Sequence, residues 1–288
     1  MKNIEKILLA TDFSPACKDA LKSAVILAAK NRSMIYLLHV VPRLYGLPID
    51  QSFIVREANI MLEEYVEEIR RAGISQTECF VLVGNPHEEI VGQADLLDAN
   101  LIMIGSGEKN KGDRFPLGVT AENIIRSSSR PVWVVKRAAS ADIKKILSPV
   151  DFSAHSRRAL INAVSLSGMF GAELQVLTVA EKMLSVYRGM AMHSANIQAD
   201  WERHVQKELD DFLGDLNIGE IAWKKIFRSG KPHEEVLKAV AETGTDLLVM
   251  GSLGRTGLSR ILMGSVAEKI ARELPCSLVM MKAQDVVE

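Results

Sequence analysis

Apolar residues along the chain fall into short unbroken runs, and between the runs they recur every three or four positions. The runs Ile7 to Ala10, MIYLLHVV (Met34 to Val41), ECFVLVG (Glu78 to Gly84), LIMIG (Leu101 to Gly105) and PVWVVK (Pro131 to Lys136) read as strands. Between the first two, Ser14 can cap a helix and Pro15 suits its first position, so a helix is expected from there to about Ala29. Ala58, Leu62, Tyr65 and Ile69 keep helical spacing and predict a long second helix. Pro86-His87-Glu88-Glu89 opens a third, with carboxylates in the first turn where the helix dipole favours them. A glycine-rich stretch after LIMIG leads into a fourth.

The pattern is written twice. KILLATDFSPACKDAL, from Lys6, returns as KILSPVDFSAHSRRAL, from Lys145, an offset of 139. GNPHEEIV, from Gly84, returns as GKPHEEVL, from Gly230, and LIMIGS, from Leu101, as LLVMGS, from Leu247, both at offset 146. The second copy therefore holds a seven-residue insertion between these anchors. Its long helix carries Trp201, Val205, Leu209, Phe212 and Leu216, its third strand is IAWKKIFRSG and its fifth CSLVMMK. A repeat of this length is a domain rather than a solenoid unit. The junction is placed in KRAASADIKK (Lys136 to Lys145), giving domains 1–138 and 139–288. Strands alternating with helices make each half an α/β unit, a parallel sheet covered on both faces. Ligands of such sheets bind beyond the carboxyl ends of the strands. Asp12 or Asp151, after strand one, then shares a crevice with the glycine stretch after strand four.

Composition narrows the function classes. The 288 residues are 48% hydrophobic and 25% charged, with a net charge of −1, which lacks the basic excess expected for a nucleic-acid or membrane-surface partner. The first apolar run is too short for a signal peptide, and no segment reaches the roughly 18 apolar residues of a membrane span, so a cytoplasmic protein is expected. Cys17, Cys79 and Cys276 are scattered without C-x-x-C, which points to packing rather than disulfides or zinc. His87 and His233 read as exposed helix-start residues, and His155, His193 and His204 show no metal or catalytic spacing.

The candidate chemistry lies in MGSLGRTGLSRILMGSVAEKI, Met250 to Ile270. Gly251 ends a strand, Gly254 leaves room for close approach of an anion, and Gly264 and Ser265 open a helix whose N–H groups and serine hydroxyl can face phosphate oxygens. The stretch is neither a Walker A loop nor the dinucleotide fingerprint, which follows strand one. With Asp151 after strand one and the G-x-P-x-E-type segment after strand three, the G-x2-G-x9-G-S spacing resembles the universal stress protein family, over nearly all of both halves. That resemblance implies two tandem Rossmann-like domains with strand order 3-2-1-4-5. It implies an internal pseudo-dimer through the fifth strands, Pro131 to Lys136 against Cys276 to Lys282, and is compatible with a homodimer. It also implies a stress-response regulator that binds ATP or a related adenine nucleotide, with or without Mg or Mn, and at most hydrolyses it slowly. Carried over residue by residue, Asp151 and Val179 hold the adenine and Gly251 lies by the ribose. Gly254, Gly264 and Ser265 hold phosphates, with the Val266 N–H beside them and Arg255 adjacent.

The first copy is a poorer match. Asp12, Val40, Gly105 and Gly118 remain, but Glu108 replaces the second glycine, Lys111 stands for Gly257 and Val119 for the serine. A carboxylate about 4 Å from a phosphate costs on the order of 4 kcal/mol at an effective dielectric of about 20, which Lys109, Lys111 and Arg114 offset only in part. One nucleotide per chain, in the second half, is the expectation. Two other readings stand beside it. A nucleotide-independent carrier would bind a ligand or partner through Phe115, Leu117 and the Met183 to Met192 region. A metal-dependent enzyme would use Asp12, His39 and Glu108, three residues with no spacing signature.

Overall fold

The computed structural model describes residues 4–43, 50–107, 117–136, 143–181, 194–214, 216–254, 263–273 and 275–282. In the first half β1 (Lys6–Ala10), β2 (Met34–Val41), β3 (Thr77–Val83), β4 (Leu101–Gly105) and β5 (Val132–Val135) alternate with α1 (Pro15–Asn31), α2 (Gln51–Arg71), α3 (Pro86–Leu96) and α4 (Val119–Ser127). The second half repeats this with β6 (Lys145–Val150), α5 (Ala154–Phe170), β7 (Glu173–Ala180), α6 (Ser194–Gly214), β8 (Trp223–Ser229), α7 (Pro232–Thr243), β9 (Leu247–Gly251), α8 (Ser265–Glu273) and β10 (Ser277–Met281). The offset between halves is 139 at β7 (Glu173 against Met34), 143 at α6 (Ser194 against Gln51) and 146 at β8 (Trp223 against Thr77). The extra residues of the second half thus enter on both sides of α6, away from the strands.

The ten strands among the described residues join one sheet in the order β3-β2-β1-β4-β5-β10-β9-β6-β7-β8. Pairing is parallel within each half and antiparallel where β5 meets β10, with Trp133 opposite Val279. Both faces are covered, so the strands near the middle carry no polar alternation: Leu101 to Gly105 and Ser277 to Met281 are buried throughout. Each face has an apolar core that runs across the join. Leu9 and Trp133 share one with Val249 and Val279, and Ile104 and Val134 share the other with Leu248 and Met280.

Polar contacts tie the halves at the same place. Lys136 Nζ donates to the Pro275 carbonyl at 3.0 Å, and Lys282, at the matching position, donates to the Ile125 carbonyl near the end of α4. Arg126 lies 3.0 Å from Glu122 and 2.8 Å from Glu268, and Arg272 lies 3.2 Å from Glu122 and 3.1 Å from Glu268. These four half-buried charges link α4 to α8, the two helices that begin beside the glycine stretches. Among the described residues no helix is long and apolar enough to cross a membrane.

Candidate functional site

The carboxyl ends of β6, β7 and β9 and the start of α8 enclose a cavity of about 450 Å³ in the second half. Asp151, Val179, Gly251, Gly254, Gly264, Ser265 and Val266 all line it. Arg255, Gly257 and the Met183 to Met192 region lie outside the described residues. The volume falls within the range of small-ligand pockets, and apolar side chains such as Leu177, Val205, Val236 and Met250 line much of its wall. Asp151 and Glu181 are the charged side chains among the described lining residues.

Asp151 is positioned by its own turn. Its Oδ1 accepts from the Ser153 N–H at 3.1 Å and from the Ser153 hydroxyl at 2.6 Å. Phe152, between them, has a φ of 67°, a left-handed conformation costly for a bulky residue. Its ring packs edge-on against Phe212 at 5.5 Å, and this aromatic contact offsets the strain. Ser153 then caps α5, its oxygen accepting from the Ser156 N–H at 3.1 Å. The other carboxylate oxygen, Oδ2, faces the glycine loop.

That geometry refines why each glycine is needed. A Cβ on Gly254 would lie 2.6 Å from Asp151 Oδ2, so the residue must be small for the loop to close on the aspartate, before any ligand arrives. A Cβ on Gly251 would meet the backbone and Cβ of His155 at 3.2 Å, because α5 packs against the end of β9 there. The expectation that the Gly264 N–H faces a phosphate is corrected: it donates to the Ser252 carbonyl at 2.8 Å, pinning the helix start to the strand end. Glu268 makes the first helical bond of α8, to the Gly264 carbonyl at 2.9 Å. The N–H groups of Ser265, Val266 and Ala267 therefore have no intrahelical partner, and these residues, the exposed Ser265 among them, line the cavity at a helix start of the kind that can receive an anion.

The first half reproduces the frame but not the surroundings. Asp12 Oδ1 accepts from the Ser14 N–H at 2.9 Å, and Phe13 has a φ of 64°. Burial alone would raise the Asp12 carboxyl, but hydrogen bonds from Ser14, Cys17 and the backbone outweigh it and hold the group below the usual carboxylate range. The Gly118 N–H donates to the Ser106 carbonyl at 3.0 Å, as Gly264 does to Ser252. Gly105 is packed more tightly than Gly251, its absent Cβ only 2.8 Å from the Ala16 carbonyl carbon. Val40 is buried, and Val119 opens α4 with its apolar side chain 76% exposed and no hydroxyl to offer. Glu108, Lys109, Lys111, Arg114 and Phe115 lie outside the described residues. His39 braces the end of its strand: the Nδ1 atom lies 2.8 Å from the Thr11 carbonyl, and Thr178 reaches the matching Val150 carbonyl through its hydroxyl at 3.2 Å. Among the described residues no three His, Cys, Asp or Glu side chains are grouped for a metal. Leu117, a candidate for the carrier surface, is buried in the core.

Cys17 and Cys276 are free and buried, Cys79 is free and half-buried, and burial pushes the Cys17 and Cys276 thiols up to about 11 and 12. His87 and His233 are half-buried rather than exposed, with side-chain exposures of 27% and 23%. Sequence reasoning missed Pro149, Ser156 and Trp201 in the cavity wall. Trp201 carried a signal: in the aligned long helices it stands where the first half has Ala58, whereas Val205, Leu209 and Phe212 replace apolar residues of comparable size.

Comparison with known proteins bears on both halves. The model of the Universal stress protein family matches residues 3–136 and again residues 142–282. A universal stress protein of Methanocaldococcus jannaschii is 28% identical over 145 residues, which are 45% of this chain and 89% of that protein. A second from the same organism is 30% identical over 146 residues, 48% of this chain and 82% of its own length. The crystal structure of a universal stress protein from Archaeoglobus fulgidus shares the fold along 99% of this chain and 98% of its own, with a TM-score of 0.72 and 24% identity.

Proposed function

The chain belongs to the universal stress protein family, whose domain it carries twice in tandem, and from that premise we propose that it binds ATP, or a related adenine nucleotide, in the second-half cavity and acts as a nucleotide-responsive stress regulator. The observation that carries this reading is the convergence of Asp151, Val179, Gly251, Gly254, Gly264, Ser265 and Val266 on one cavity of about 450 Å³. Its apolar side chains and the Asp151 carboxylate suit a base and ribose. The start of α8, whose first-turn N–H groups lack intrahelical partners, favours phosphate through those groups and the helix dipole. A divalent cation, Mg²⁺ or Mn²⁺, accompanies the polyphosphate and offsets its charge in a cavity whose charged side chains, among the described lining residues, are both carboxylates. Arg255, next in sequence after Gly254, is the cation proposed to assist.

The domains are proposed to span 1–138 and 139–288, and the β5–β10 pairing is read as a dimer contact internal to one chain. The first half keeps its Asp12 turn and helix start but has Val119 for Ser265, and is proposed to bind nucleotide far more weakly. Equilibrium dialysis of labelled ATP tests the assignment. The full chain should retain nucleotide, and a folded variant carrying Gly254→Glu and Ser265→Val should retain none. Equal retention by that variant would place the nucleotide elsewhere.

A further inference from the structure

Trp201 lies on α6 and lines the cavity with Thr178, Val179 and Glu181 of the β7 end. Its Nε1–H donates to the Glu181 carbonyl at 3.1 Å, which fixes one edge of the indole relative to the end of β7. His204, one helical turn on, stacks against the ring with centroids 5.7 Å apart and planes 29° from parallel. The indole is thus held on two sides by the protein while it faces a cavity, and its one polar atom is already paired. With His204 stacked on one face and the indole N–H paired, the opposite face is what the ring has left to offer a ligand. We infer that Trp201 is the platform on which the base of the bound nucleotide stacks, and that it makes the second-half cavity selective for purine nucleotides over pyrimidine nucleotides and over polyphosphate alone.

The inference rests on the nucleotide reading of this cavity and adds its base specificity. Stacking scales with ring overlap and is tolerant of the hydrogen-bonding edge, so a bicyclic purine gains more than a pyrimidine and adenine is not separated from guanine by this residue. Asp151, Val179 and Ser265 line the same cavity as the indole, so a base stacked on the ring leaves its ribose and phosphates to the glycine loop and Ser265. In the first half the matching residue is Ala58, which is buried and offers no ring. The asymmetry between halves therefore has a source at the base end as well as at the phosphate end.

The test is a set of calorimetric titrations of the full chain, Trp201→Ala and Trp201→Phe with ATP, CTP and inorganic tripolyphosphate. Trp201→Ala should weaken ATP binding by about fivefold to a hundredfold while tripolyphosphate affinity stays within about twofold. Trp201→Phe should keep most of the ATP affinity, and the wild-type chain should prefer ATP to CTP. Ala58 shows that this helix position accepts alanine within the fold, and a thermal melt of Trp201→Ala verifies it. A second readout is independent of that variant: ATP should change the tryptophan emission of the wild-type chain, and the change should vanish in Trp201→Phe. Equal weakening of ATP and tripolyphosphate, unchanged ATP affinity in Trp201→Ala, or a fluorescence response that persists in Trp201→Phe would overturn the platform while leaving the nucleotide site standing. A wild-type chain that binds neither ATP nor CTP would overturn the nucleotide reading, and this inference with it.

Discussion

Ser265→Val isolates one atom of the phosphate end. Ser265 is exposed at the first position of α8, so the valine has room, and Val119 occupies the matching first position of α4 without disturbing that helix. The three first-turn N–H groups are kept, because Gly264 still anchors the helix start to Ser252. What is lost is a hydroxyl donor to a charged oxygen, worth about 1.5 to 3 kcal/mol. Converted at 1.4 kcal/mol per decade, that is about a ten- to hundredfold rise in Kd for ATP. Folded stability should change by no more than about 0.5 kcal/mol, as for other exposed positions. Calorimetry with Mg·ATP reads the affinity and a thermal melt reads the stability, while Ser265→Thr restores the donor and should restore binding. An affinity change under about threefold would show that the hydroxyl does not meet the phosphate, and that the resemblance of this motif misled the assignment.

Two further predictions concern the frame. Alanine at Gly105 must push the Ala16 backbone from 2.8 Å, whereas alanine at Gly251 meets His155 at 3.2 Å, so Gly105→Ala should destabilise the chain by about 1 to 3 kcal/mol and Gly251→Ala by less; denaturant midpoints of the two variants compare them. Burial pushes the Lys282 ammonium down to about 8 from its ordinary 10.5. Below pH 8 folded and unfolded chains both hold that proton and the folded chain carries the full desolvation cost, on the order of 3 kcal/mol. Between pH 8 and 10.5 only the unfolded chain holds it, so this residue's contribution to stability should rise with pH by up to about 1.4 kcal/mol per unit. Chemical denaturation of the wild type and Lys282→Met at pH 7 and 9.5 measures the difference, and parallel pH curves would refute it.

Much of the architecture is legible in the sequence because the repeat supplies each element twice. Unbroken apolar runs mark the strands buried on both faces, and Ser14 and Ser153 mark helix starts that the structure shows capped. The cavity is legible where chemistry and spacing coincide, at Asp151 and along the glycine stretch. What was not legible depends on contacts distant in sequence. Nothing in the motif says that the Gly264 N–H is taken by Ser252, or that Gly254 is small because Asp151 Oδ2 lies against it. Glu235 reads as a first-turn carboxylate favoured by the dipole, yet it is buried against Gly230 and pairs with Lys238 at 2.7 Å. Trp201 sits among helical core positions and looks like core. Only its opposition to Ala58, and then the cavity beside it, set it apart.

The central claim is that nucleotide binds in the second half and far more weakly in the first, and the number of ATP molecules bound per full chain tests it most directly. Titration of the wild-type chain with Mg·ATP should give one site, and the Gly254→Glu, Ser265→Val variant should give none over the same concentration range. The reciprocal change at the first-half site, Asp12→Asn, should leave that single site intact. Two sites of similar affinity in the wild type, or one site that survives the second-half variant and is lost with Asp12→Asn, would contradict the account.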